Sequence, residues 1–127
     1  MSQNEYIFKQ HEENIEWSGK LDFFKDEITI LQGRLEEIAR KNTQKEVLIL
    51  VEHFQNQLII YRNTVDEIQH KIHLAEDELQ REIKKNPVAS DHRKVPYHQN
   101  EKEEILIFER VFREFREEFN RFVSKWL

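Results

Sequence analysis

The chain of 127 residues contains no cysteine, and only two glycines and two prolines. Without cysteine there is neither a disulfide framework nor a thiolate metal site. With so few glycines and prolines there is little to punctuate a sheet or a loop-rich fold, and good helix formers dominate what remains. Long apolar runs are also missing. The longest uninterrupted one is Val47 to Val51, far short of the roughly 20 residues that span a bilayer. The opening Met-Ser-Gln-Asn-Glu carries neither a basic region nor an apolar stretch, so no secretory signal is read there. These absences together predict a cytoplasmic setting and no membrane partner.

An excess of positive charge is lacking as well. The net charge is −5, and no segment has the basic footprint of a nucleic-acid surface. The arginines Arg110, Arg113, Arg116 and Arg121 alternate with Glu109, Glu114, Glu117 and Glu118. Pairs four apart, such as Glu109–Arg113 and Glu117–Arg121, have the spacing of a compensated helix surface.

What is abundant is charge, at 35%, laid out in a regular apolar rhythm. Ser2-x-x-Glu5, Thr43-x-x-Glu46 and Asn100-x-x-Glu103 have the form of capping boxes, each ahead of a periodic apolar run. Arg40, Lys41 and Asn42, and then Lys84, Lys85, Asn86 and Pro87, supply cations and breakers at the negative ends of two helices. The spacing predicts helices at about 3–41, 44–86 and 97–126, with a loop at 87–96 and Pro96 as an earlier opening for the third helix. The whole chain, 1–127, reads as one helical-bundle domain.

Each helix carries a seam in steps of three and four. The first reads Leu21, Phe24, Ile28, Leu31, Leu35, Ile38. The second runs from Val47 through Phe54, Tyr61 and Ile72 to Leu79. The third reads Ile105, Phe108, Phe112, Phe115, Phe119, Phe122, Trp126. This is the coiled-coil repeat and implies an antiparallel three-helix bundle with shallow crossing angles. A short hinge at Asn42–Thr43 places residue i of the first helix level with about residue 85 − i of the second, and Trp126 level with Ile38. The phenylalanine seam reads as packed core rather than as a ligand pocket.

A second apolar set lies off the seams: Phe8, Ile15, Phe23 and Ile30 on the first helix, Leu48, Ile49, Leu50, Ile59 and Ile60 on the second, Leu106, Ile107 and Val111 on the third. A helix apolar nearly all round is usually buried on every side, which one three-helix chain cannot provide. Such a patch predicts an interface. The expectation is a homo-oligomer, most simply a two-fold dimer, with Leu48, Ile49, His53, Ile59, Ile60, Phe23 and Ile30 at the contact.

Extended backwards, the first seam turns polar at Asn14 and Gln10 and the third at Glu101 and His98, all at one end of the bundle. His11 flanks that layer, and the neighbouring stretch of the second helix carries Asp66, Glu67, His70, His73 and Asp77. Histidine and carboxylate side chains are transition-metal donors, and Glu67-x-x-His70 has the form of one di-iron ligand pair. Candidate ligands for zinc or iron are therefore His11, Glu67, His70, His73, Asp77, His98 and Glu101. Only one such pair is present, however, and the heptad frame turns Glu67, His70, His73 and Asp77 outward. The competing reading is a polar layer that fixes register, with the outer histidines solvated. His92 has no evident partner. Gly19 and Gly33 fall inside the first helix, where Trp17-Ser18-Gly19 suggests a close helix approach or a slight kink.

No phosphate loop, nucleophile elbow or Cys–His pair is present. The sequence therefore favours a non-enzymatic, self-associating helical bundle that acts through protein contacts as a scaffold or adaptor, without a cofactor. A metal-binding bundle is the alternative.

Overall fold

The computed structural model describes the backbone of residues 3–85 and 95–127, and side chains for 7–85 and 100–127. It is an all-α bundle of three long helices: α1, Gln3–Lys41; α2, Lys45–Lys85; and α3, Val95–Trp126. No strand occurs among the described residues. The expected Ser2 cap, His92 and the 87–94 part of the loop lie outside them.

Helix boundaries follow the end chemistry, with two adjustments. The Leu48 N–H bonds to the Gln44 carbonyl at 3.1 Å, so α2 opens one residue later than a Thr43 cap would place it. At the third helix, Val95 and Pro96 already belong to α3, which puts Asn100 inside the helix rather than at its cap. Proline is tolerated in a first turn because its missing N–H would have had no intrahelical partner there, and its fixed φ suits the helix. Asn42 ends α1 with its side chain. Its Nδ2 donates to the Ile38 carbonyl at 2.9 Å and to the Trp126 carbonyl at 3.2 Å. One amide thus satisfies the last turns of α1 and α3 and holds their C-termini together.

The seams are the core. Leu21, Ile28, Leu35 and Ile38 of α1, Val47, Leu58 and Val65 of α2, and Phe112 and Phe119 of α3 are fully buried. Phe24, Tyr61 and Trp126 pack against this core while half-buried. Aromatic rings set the level of α3. Phe54 meets Phe119 edge-on at 5.5 Å between centroids, Tyr61 meets Phe112 at 5.6 Å, and Phe24 meets Phe108 at 5.0 Å. Edge-to-face pairs of this kind add about 0.5–1.5 kcal/mol each beyond area burial. Within the phenylalanine seam, Phe112 is enclosed by four other aromatics.

The α1–α3 pairing follows the expected level: Lys20 Nζ lies 3.4 Å from Glu109, and Arg116 grips Glu27 with two bonds at 2.5 and 2.7 Å. Links between α1 and α2 are skewed. Ser18 meets His73 where the hinge count points to Glu67, and Thr29 meets Arg62 where it points to Asn56. Every Cα–Cβ bond leans toward its own helix N-terminus. In an antiparallel pair, α1 side chains lean away from the hinge and α2 side chains toward it, so contacts join an α1 residue to an α2 residue farther out.

Neither glycine is a point of close approach within the chain. A Cβ built on Gly19 or Gly33 meets nothing within 4 Å, because both lie on the outward face of α1.

Candidate functional site at the polar end

Where the seams turn polar, the side chains stay inside. Gln10, Asn14 and Glu101 are 7%, 3% and 2% exposed. The interhelical geometry that puts Leu21 and Ile28 in the core carries the preceding turns of α1 inward too, whatever their chemistry.

On the α1–α2 side the polar groups form a network centred on Glu76. His11 Nδ1 contacts Glu76 Oε1, Asn14 Nδ2 donates to Oε2 at 2.8 Å, and Gln80 Nε2 donates to Oε1 at 2.9 Å. Burial alone would raise the Glu76 pKa; the hydrogen bonds from Asn14, Gln80 and His11 outweigh it and hold the carboxyl below its ordinary value. A groove of about 340 Å³ runs along this network, with Ile15 and Ile72 among its walls and Ser18, Gly19, Asp22 and His73 at its edges. One stretch further toward the hinge, buried Gln69 donates to Asp22 at 2.7 Å and accepts from Lys25 Nζ at 2.5 Å, while Lys25 also pairs with Asp66 at 2.7 Å.

On the α2–α3 side, Lys71 Nζ binds Glu104 at 2.9 Å. Glu101 lies in the core nearby, with both carboxyl oxygens buried and without a hydrogen-bond partner. Its pKa is pushed up to about 7, first by burial and then by Glu104, with Glu78 acting the same way and Lys71 against.

The six metal candidates whose side chains are described do not converge. Glu67, His70, His73 and Asp77 are exposed, as the heptad frame implies. Successive three-residue steps rotate about 60° around a helix, so Glu67, His70 and His73 fan out instead of sharing a point. His73 Nε2 comes 3.4 Å from Ser18 Oγ, and His11 is engaged with Glu76. Glu101 is inside the bundle, and the side chain of His98 lies outside the described residues. Among the described residues, no group of three or more His, Cys, Asp or Glu is placed to hold a metal ion.

The centres of these networks, Glu76 and Gln69, were not read from the sequence, nor were Gln80, Asp22 and Lys25. Both centres sit beside seam positions, next to Ala75 and Ile68. Their role appears only once α1 supplies His11, Asn14 and Asp22 as partners.

The residues proposed for an interface all point outward. Phe23 is 66% exposed, Ile60 60%, Ile30 57%, Ile49 56%, Ile59 51% and Leu48 39%, and His53 is exposed beside them. An apolar groove of about 360 Å³ opens between α2 and α3, bordered by Ile60, Tyr61, Ile107 and Val111, with Glu67, Lys71 and Glu104 at one end. No described helix is long and apolar enough to cross a membrane.

Comparison with known protein families, with curated proteins and with solved structures finds no match.

Proposed function

We propose that this chain is a non-enzymatic bundle that self-associates and works through protein contacts, as a scaffold or adaptor, in the cytoplasm. The observation that supports it most is the exposed apolar set. Fourteen large hydrophobic side chains among the described residues are at least 37% exposed, and they occur on all three helices. Scattered exposed leucines are ordinary, but on α1 they form a line: Phe8, Ile15, Phe23 and Ile30 recur in steps of seven or eight along one outward face. On the first half of α2, Leu48, Ile49, Leu50, Ile59 and Ile60 add to it. Leaving such surface in water costs roughly 25 cal/mol for each Å² that an interface would otherwise cover. The lack of cysteine suits a reducing compartment.

Sedimentation velocity at micromolar concentration is expected to show a dimer. Phe23→Glu and Ile60→Glu, each placing a charge on an exposed position, are expected to shift it toward monomer without loss of helicity. A wild-type chain that sediments as a monomer across that range rejects self-association.

A further inference from the structure

Glu101 occupies a position on the inner face of α3 where the heptad rhythm calls for an apolar residue, one step before Ile105. It is 2% exposed, and neither carboxyl oxygen has a hydrogen-bond partner. The α1–α3 ion pairs Lys20–Glu109 and Glu27–Arg116 set the level of the two helices. Carried back along both, that offset places Glu101 between Gln10 and Asn14 of α1. Asn14 is itself 3% exposed. Its amide nitrogen is committed to Glu76 on α2, and its Oδ1 is buried without a partner.

This layer of the core therefore holds three buried acceptor oxygens and no donor assigned to them. An ionised carboxylate in that setting bears its full desolvation cost, because nothing donates to it. A carboxylic acid carries its own donor, and Asn14 Oδ1 is an acceptor in need of one.

We propose that Glu101 is folded into the bundle as a neutral acid that donates its hydroxyl to Asn14 across the α1–α3 interface, and that this end of the bundle opens as Glu101 gives up its proton. The charged groups around it fit. On α3 the nearest is Glu104, and on α2 they are Glu78 and Lys71, the lysine being bound to Glu104. α1 presents neutral Gln10 and Asn14, with His11 tied to Glu76 and Glu13 lining the groove toward α3. The upward shift of the Glu101 pKa to about 7 has the same direction.

The sign of the linkage follows. The folded form holds the proton up to about pH 7, whereas an opened end exposes a carboxyl of ordinary pKa, 4.5. Opening thus becomes easier as pH rises from about 4.5 to about 7, and then levels off. The opening constant should increase roughly 70-fold between pH 5 and pH 8. Hydrogen exchange of the amides in 7–20 and 100–108, corrected for intrinsic exchange rates, reads this constant directly. The wild type is expected to show the rise, and Glu101→Gln, whose amide keeps a donor but cannot ionise, is expected to be flat. An equal rise in Glu101→Gln overturns the proposal. Should that variant not fold, ¹³C titration of glutamate carboxyls in the unaltered chain decides: a Glu101 carboxyl titrating near 4.5 overturns it, and one titrating near neutrality supports it.

Discussion

Replacing both glycines of α1 with alanine tests how the outward face of this helix is built. Gly19 and Gly33 lie in the interior of a 39-residue helix, and a methyl group at either meets nothing within 4 Å. No contact within the chain opposes the substitution, so backbone entropy decides the result. Glycine in a helix interior costs about 0.5–1 kcal/mol relative to alanine. The two sites are about 21 Å apart along the axis, beyond the range at which neighbouring substitutions couple. Gly19→Ala with Gly33→Ala should therefore stabilise the bundle by roughly 1–2 kcal/mol. For a domain of this size that is a rise of about 4–8 °C in Tm. Thermal and urea melts followed by circular dichroism measure it, repeated over a range of protein concentration. A loss of stability at the lowest concentration would refute the reasoning. A gain there that turns into a loss at high concentration would show instead that the glycines admit a second copy of the chain.

Three further changes probe the core and the polar end. Phe112→Ala removes a fully buried ring held among Phe24, Tyr61, Phe108 and Phe115; urea unfolding should show a loss of about 3–5 kcal/mol, and a loss under 1 kcal/mol would mean the aromatic seam is loosely packed. Glu76 has its pKa held below the ordinary carboxylate value by Asn14, Gln80 and His11, so its contribution is present above about pH 4.5 and is lost as pH falls through the folded value. Glu76→Gln should flatten that acid-side slope and cost about 1 kcal/mol at neutral pH; an unchanged acid-side slope would show that the network does not hold the carboxyl. Arg116→Lys keeps the charge but loses the two-bond grip on Glu27, and should cost on the order of 1 kcal/mol in a urea melt; no loss would mean that a single charge contact suffices at this partly exposed pair.

Much of the architecture was legible from residue spacing because a seam in threes and fours allows only one face of a helix to be buried. The seam residues from Leu21 to Ile38, Val47 to Leu79 and Ile105 to Phe122 lie inside as that spacing requires, with Phe24, Tyr61 and Ala75 partly buried. The same rule carried Gln10, Asn14 and Glu101 inward. The third helix starts at Val95, two residues before the expected 97, because Pro96 makes a good first turn; Asn100-x-x-Glu103, which has the form of a cap, lies inside the helix. Gly19 suggested a close approach because small residues often serve one. Only the packed structure shows open space where its Cβ would be, at the edge of the α1–α2 groove.

The site was less legible. Glu67, His70, His73 and Asp77 lie toward one end of the bundle on its outer side, as the heptad frame implies, but they are spread about 15 Å along α2 and share no point. Partners across an interface depend on the lean of side chains and on which flank meets which. That is why Glu76, rather than His70 or Asp77, receives His11 and Asn14, and why Gln69 joins Lys25 to Asp22.

By itself the sequence determined three long helices, the face each one buries, and the polar turns at one end, because those follow from local propensity and a single period. Tertiary structure alone decided that Asn14 is tied to Glu76 and that Glu101 is left without a donor. Those outcomes depend on how three helices are rotated against one another, and no property of a single helix sets that rotation.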